Sequence, residues 1–227
     1  MQKIQWYPGH MFKANKEIKQ TLPLIDVIIE VLDARIPFSS ENPLLAEIRS
    51  DKPTIKVLSK SDLADAELTT EWQAHFEKSR NTRSLAITTR EPEKMRAIVE
   101  LCRKLAPEKS ATDKDVHVMI MGIPNVGKST LINILAGRTI AKTGNEPAVT
   151  KGQQRIQLAG GVMLFDTPGV LWPNLENRNS GYRLAVTGAI KDTAIEHDDV
   201  AYFAAEYLLA SYPERLKERY QLDTLPD

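Results

Sequence analysis

Gly122, Gly127, Lys128 and Ser129 stand at the spacing GxxxxGK[ST] within GIPNVGKST. That arrangement is suited to holding phosphates. Glycines let successive backbone N–H groups curl round a β-phosphate, the positive end of a following helix adds to them, and a lysine neutralises β/γ charge. On this reading Asn125, Val126, Gly127, Lys128, Ser129 and Thr130 bind a nucleotide, Lys128 assists catalysis, and Ser129 ligates Mg²⁺. The apolar run VMIM before the loop and the helical run LINILAG after it supply the flanking strand and helix that the motif requires. Composition alone produces such a match in roughly one chain in a hundred of this length. The flanks make chance rarer still.

A second phosphate-side element is DTPG at Asp166 to Gly169, directly after the apolar run VMLF. Its aspartate is expected to reach Mg²⁺ through water and its glycine N–H to meet a γ-phosphate. DxxG by itself is expected about once in a chain of this length, so its weight comes from its place on a strand downstream of Lys128. Between the two lies NEPAVTKG, polar and marked by Pro and Gly, in which Thr150 is the hydroxyl placed to ligate Mg²⁺ only when the γ-phosphate is present. After DTPG comes Val170, whose side chain neither donates nor accepts. Some group other than the usual water-orienting glutamine must therefore position the attacking water.

Guanine selection calls for an NKxD-like tetrad whose carboxylate accepts from N1 and N2 of the base, because adenine would leave that carboxylate unpaired. No such tetrad follows the phosphate loop. Upstream, SKSD places Ser59, Lys60 and Asp62 at the close of the run TIKVL, and Thr88 and Thr89 follow the next run, SLAI, as a second base loop. The order along the chain is thus base motif, second base loop, phosphate loop, Thr150 loop, DxxG. This is a circular permutation of the common order, and it preserves the site because the same strands still present all their loops at one edge of a sheet.

The elements needed to position these loops are legible in the hydropathy. Short apolar runs alternate with longer amphipathic ones, as in a parallel sheet with helices on both faces. Strands are expected at 26–32, 54–58, 84–87, 116–121, 155–158 and 162–165, and helices at 42–48, 67–78, 91–105 and 128–135. The stretch 106–115 reads as a polar linker. Beyond Trp172 the pattern is helical only, with Leu184, Ile190, Val200, Phe203, Ala204, Tyr207, Leu208 and Leu216 as candidate apolar faces. The fold expected is α/β: a P-loop NTPase domain over 1–175, with a basic and aromatic extension at 1–20, followed by a short helical segment over 176–227.

Bulk properties narrow the class. Of 227 residues, 42% are hydrophobic and 26% charged, a composition that fits neither disorder nor collagen-like order. No apolar run approaches the roughly 20 residues of a membrane span, and MQKIQWYPGH does not read as a signal peptide, so a cytoplasmic location without a membrane partner is expected. The lone Cys102 reads as a structural thiol. With a formal net charge of +0, no overall field draws the molecule onto nucleic acid, and RNA contact must come from a patch. The first twenty residues offer one: Lys3, Lys13, Lys16 and Lys19 against Glu17 alone, interleaved with Trp6, Tyr7 and Phe12.

The permuted order together with WYPGHM, DARIP, PNVGKST, TKG, DTPGV, LAVTGAIKD and YPERLKERY resembles the RbgA/YlqF family of circularly permuted ribosome-biogenesis GTPases over nearly the whole chain. The resemblance implies a circularly permuted Ras-like G domain that binds GTP and GDP with Mg²⁺, hydrolyses GTP, and works in the cytoplasm on precursors of the large ribosomal subunit. It implies contact with ribosomal RNA and ribosomal proteins, and a monomer is expected. It also points to His10 of PGHM as the residue orienting the attacking water, a task a neutral imidazole can perform near pH 7. Asn125 resembles the phosphate-loop asparagine of potassium-activated GTPases, which implies K⁺ beside the phosphates. Two departures stand out: Ser59 replaces the tetrad asparagine, from which weaker guanine affinity is expected, and the chain ends at LDTLPD where the family continues into a helical domain. Two other readings of the same residues are an ATP-using P-loop NTPase, disfavoured by Asp62, and a nucleotide-dependent RNA-binding scaffold in which hydrolysis is incidental.

Overall fold

The computed structural model describes residues 4, 6–49, 51–112, 114–141, 154–173 and 177–225. Among these, six strands form one sheet: β1 (Val27–Asp33), β2 (Thr54–Ser59), β3 (Thr82–Ala86), β4 (Val116–Gly122), β5 (Gln154–Leu158) and β6 (Val162–Asp166), in the order β3-β2-β1-β4-β6-β5. Every pairing is parallel except the β5–β6 hairpin. The helices are α1 (Gly9–Thr21), α2 (Pro37–Ser40), α3 (Pro43–Arg49), α4 (Ala66–Glu77), α5 (Pro92–Leu105), α6 (Pro107–Ala111), α7 (Lys128–Ala136), α8 (Arg178–Val186), α9 (His197–Ser211) and α10 (Pro213–Tyr220).

The central strands explain why the sequence reads as it does. β1 and β2 are buried along their whole lengths, so VIIEVLD and TIKVLS are near-continuous apolar runs rather than alternating ones. The charged residues in the interior of these runs, Glu30 and Lys56, are register partners and pair at 3.0 Å; Arg49 reaches the same Glu30 oxygen at 3.4 Å, and Glu41 takes a further contact of Lys56. Burial pushes the Glu30 carboxyl above its ordinary value against the pull of Lys56 and Arg49. Helix α5 starts on Pro92 with Glu93 in its first turn and ends with Arg103 and Lys104, each charge matching the helix dipole, and it buries Met95, Ile98 and Cys102 along one stripe. Burial pushes the Cys102 thiol up to about 12, so it remains protonated and acts as core.

Each strand expected from the sequence forms, with ends shifted by no more than two residues. Three helices escape the sequence reading, the shortest being the four-residue α2 at Pro37–Ser40. The stretch taken as a polar linker folds into α6 over Pro107–Ala111, because Pro107 at the first helical position and Glu108 in the first turn start a helix there. Helix α1 opens on Pro8-Gly9, which reads locally as a turn, yet Met11, Ala14 and Ile18 are buried at helical spacing. In the helical segment Leu184, Ala189 and Ile190 join the same core as the sheet, while Tyr182, Ala185 and Val200 form an adjoining cluster with Phe203. Tyr207 and Leu208, expected to be core, remain exposed at 40% and 38%.

From the neighbours β1 and β4 the sheet extends in opposite directions, to β2 and β3 on one side and to β6 and the edge strand β5 on the other. The carboxyl ends at that switch point are where an open parallel sheet binds ligands. Asp33 lies beside Ser59 in register, and Ile120 beside Asp166, so the loops after β1, β2, β4 and β6 converge on one edge.

Candidate active site

The phosphate loop follows β4. Gly127 takes φ +96, a backbone state that a side chain would strain, and it directly precedes the first residue of α7. This points the free N–H groups of Lys128, Ser129 and Thr130 out of the helix start. Gly122 lies where an added Cβ would sit 2.7 Å from the Val31 carbonyl oxygen, so the loop leaves the sheet in contact with β1. Lys128 is buried and its Nζ stands 2.5 Å from Oδ1 of Asp166, itself 1% exposed. Ser129 and Thr130 are half-buried in the first turn of α7.

The DTPG turn is pressed against that loop. A Cβ on Gly169 would lie 2.9 Å from both N and Cα of Pro124, so only glycine allows the two backbones this approach. Val170 is fully buried; its N–H donates to the Gly122 carbonyl at 3.2 Å and its carbonyl accepts from Asn42 Nδ2 at 3.1 Å. Leu171 N–H points at the sulfur of Met11, 3.4 Å away. Helix α1 is thereby anchored beside DTPG, and His10, next to Met11 in its first turn, is exposed. Thr150 lies outside the described residues.

The SKSD turn reaches the phosphate loop from the other side. Ser59 Oγ lies 2.9 Å from the Leu32 carbonyl and 2.5 Å from the Val126 carbonyl, a buried hydroxyl that ties β2 to the loop. Lys60 adopts φ 56 and its Nζ donates to Asn125 O at 2.8 Å and to Asp33 Oδ2 at 2.9 Å. Asp33 also takes a two-point contact from Arg35, at 2.9 and 2.7 Å. Burial by itself would raise the Asp33 carboxyl; the bonds and charges of Arg35 and Lys60 outweigh it and hold the group below its ordinary value. Asp62 faces Arg90 at 3.6 Å and stays accessible. Ser61 N–H donates to Ile87 O at 3.1 Å, which joins the SKSD turn to the loop after β3; Thr88 there is buried and Thr89 exposed.

Asn125 takes φ 56, and its Nδ2 donates to the Gly188 carbonyl at 2.7 Å, which links the phosphate loop to the turn after α8. The edge of the sheet thus gathers a helix start, a lysine, hard oxygen donors at Ser129 and Asp166, and an accessible carboxylate at Asp62. A nucleoside triphosphate fits this set, and hydroxyl and carboxylate oxygens are the donors that Mg²⁺ takes.

Residues 117–220 match the family described as MMR_HSR1, 50S ribosome-binding GTPase. Ribosome biogenesis GTPase A of Bacillus pumilus is 47% identical over 231 residues, covering 99% of this chain and 82% of the relative. The chain belongs to the ribosome biogenesis GTPase A family. It is accordingly a GTP hydrolase with a permuted α/β P-loop fold. The member from Thermotoga maritima is 36% identical over 92% of this chain and 74% of its own length. Among solved structures, GNP-bound YlqF from T. maritima superposes with a TM-score of 0.64 at 30% identity, covering 91% of this chain and 81% of that one. A GDP-bound form of T. maritima YlqF gives 0.63 at 30% identity, covering 86% and 75%.

Four residues that hold this family site together carried no role in the sequence reading: Asp33, Asn42, Met11 and Gly188. Asp33 had a usable signal, since a carboxylate closing a buried apolar strand requires cationic partners. For the other three, the decisive contact lies far away in the chain and leaves no local pattern.

Proposed function

We propose that this GTPase is a nucleotide-dependent switch that acts on precursors of the large ribosomal subunit in the cytoplasm, as a monomer. The names of its relatives, ribosome biogenesis GTPase A and, at 37% identity, the mitochondrial ribosome-associated GTPase 1 of Mus musculus, support the ribosomal partner. One observation carries the site assignment: the base turn, the phosphate loop and the DTPG turn touch one another at a single sheet edge, through Ser59 to Val126 O and through Gly169 against Pro124.

In this proposal Asp62 accepts from guanine N1 and N2, flanked by Thr88 and Thr89, while Lys60 lies beneath the loop and holds its backbone at Asn125. Ser59 does the bracing that the usual asparagine would do, from a shorter side chain. The N–H groups from Val126 to Thr130 surround the β-phosphate, and Lys128 turns from Asp166 to the β/γ oxygens. Ser129, Asp166 and Thr150 hold Mg²⁺, which would neutralise charge on those oxygens. Asn125 is assigned a K⁺ ion, and faster hydrolysis in potassium than in sodium buffer is the expected sign. Gly169 N–H meets the γ-phosphate, and His10, carried beside DTPG by the Met11–Leu171 contact, orients the attacking water. With buried Val170 unable to do so, intrinsic hydrolysis is slow.

Single-turnover GTP hydrolysis with and without purified large subunits tests this reading. The unaltered protein is expected to accelerate on subunits, and His10→Ala to lose at least tenfold in turnover with GDP affinity unchanged, in line with general acid–base effects of about 10²–10⁴. Full turnover by His10→Ala would remove that residue from the mechanism. Subunit binding without acceleration would support the scaffold reading instead.

A further inference from the structure

Helix α1 uses only one side for the fold. Met11, Ala14, Asn15 and Ile18 are buried, whereas Phe12, Lys13, Lys16 and Lys19 face solvent. At 3.6 residues per turn these four exposed positions fall within about 120° of arc, and the lysines climb the axis at steps of about 4.5 Å. Phe12 is 68% exposed, which is unusual for a ring with a core at its back. The Lys13 side chain is 80% exposed and has only a 4.0 Å contact with Glu17, while Lys16 and Lys19 have no ion-pair partner among the described residues. The other two aromatics of the extension are not available in the same way. Trp6 and Tyr7 pack against the main core, and Asn15 Nδ2 donates to the Tyr7 hydroxyl at 2.7 Å.

A row of cations around one exposed ring matches a polyanion that also offers flat faces to stack on. Because the chain carries no net charge, such a patch must act locally rather than through a field of the whole molecule. A lipid surface would need the apolar side of the helix, and Met11 and Ile18 on that side are 0% exposed. We infer that this face of α1 docks an unpaired segment of ribosomal RNA, with a base stacked on Phe12 and phosphates on Lys13, Lys16 and Lys19. The inference rests on the ribosomal role proposed above and adds the surface that serves it. Its location gives it a consequence. The buried side of the same helix turn grips Leu171 through Met11, two residues beyond Gly169, so RNA clamped on α1 fixes the turn that carries His10 against DTPG.

The test compares the unaltered protein with Lys13→Gln/Lys16→Gln/Lys19→Gln, Phe12→Ala and Phe12→Tyr, binding both purified large subunits and protein-free ribosomal RNA over a range of salt. Neutralising three phosphate contacts is expected to make the plot of log affinity against log salt shallower by about 2, at about 0.7 per single-stranded phosphate. Phe12→Ala is expected to bind RNA roughly tenfold more weakly with the slope unchanged, and Phe12→Tyr to bind as the unaltered protein, because stacking tolerates the ring change. GTP affinity and intrinsic hydrolysis should be unaltered in all three, while subunit-stimulated hydrolysis falls with the affinity. Equal RNA binding by all four proteins, on subunits that the unaltered protein does bind, overturns this face and leaves the ribosomal role standing. Loss of subunit binding with RNA binding intact would assign the face to a ribosomal protein and likewise overturn it. No subunit binding by the unaltered protein would overturn the ribosomal role, and this face with it.

Discussion

Replacing Gly169 by alanine tests whether the DTPG turn must lie flat against the phosphate loop. Its added Cβ would meet N and Cα of Pro124 at 2.9 Å, and both atoms are backbone, so no side-chain rotation relieves the contact. Ordinary carbon–carbon contact lies near 3.5–4.0 Å, which requires a separation of about 0.6–1 Å between the two loops. Overpacking of that kind costs about 1–3 kcal/mol of stability. Catalytic geometry is more sensitive, and a misplacement of about 1 Å lowers turnover by up to roughly 10²-fold. The control is Gly137→Ala: Gly137 has φ +65 and nothing within 4 Å of its missing Cβ. Left-handed backbone costs a non-glycine residue about 1–2 kcal/mol, so the two variants should lose similar stability for different reasons. Urea unfolding measures the first quantity and single-turnover phosphate release the second. Gly169→Ala is expected to hydrolyse GTP about 10–100-fold more slowly while binding GDP within a few-fold of normal; Gly137→Ala should hydrolyse normally. Normal hydrolysis by Gly169→Ala, with under about 0.5 kcal/mol lost, would refute the reasoning that this contact sets the site.

Asp62→Asn should exchange an acceptor for a donor at the base, so GTP affinity falls by at least a hundredfold while xanthosine triphosphate, whose O2 accepts where guanine N2 donates, gains; calorimetry with both nucleotides reads this, and unchanged GTP affinity would take Asp62 out of the base site. Asp33→Asn removes the carboxylate between Arg35 and Lys60 and should cost about 2–3 kcal/mol at pH 7. Because the Arg35 and Lys60 partners hold the folded Asp33 carboxyl below its ordinary value, its contribution is present above the ordinary carboxylate range and is lost as pH falls through the depressed value. The stability gap between Asp33→Asn and the unaltered protein should therefore hold down to about pH 4 and close below it; a gap that closes near pH 6 would contradict the assignment.

The sequence by itself determined those parts whose chemistry is local. A phosphate loop is a strand, a glycine-rich turn and a helix start within a dozen or so residues, and its period and spacing are legible because no distant partner is needed to form it. The same is true of DTPG after its strand, of the six strands and of the permuted order, since buried parallel strands must be apolar throughout. Only the tertiary structure decided how those parts brace one another. Lys60 reaches beneath the phosphate loop to Asn125 across 65 positions, Asn125 reaches Gly188 across 63, Asn42 supports Val170 across 128, and Met11 meets Leu171 across 160. None of these pairs has a periodicity to betray it, because each is set by which strands lie side by side. Ser59 is the clearest case: as a letter it was a departure at the expected base motif, and as a buried hydroxyl 2.5 Å from the Val126 carbonyl it is the brace between the SKSD turn and the phosphate loop. Sheet order brought β2 and β4 to either side of β1, and that juxtaposition made one site of motifs that lie far apart along the chain.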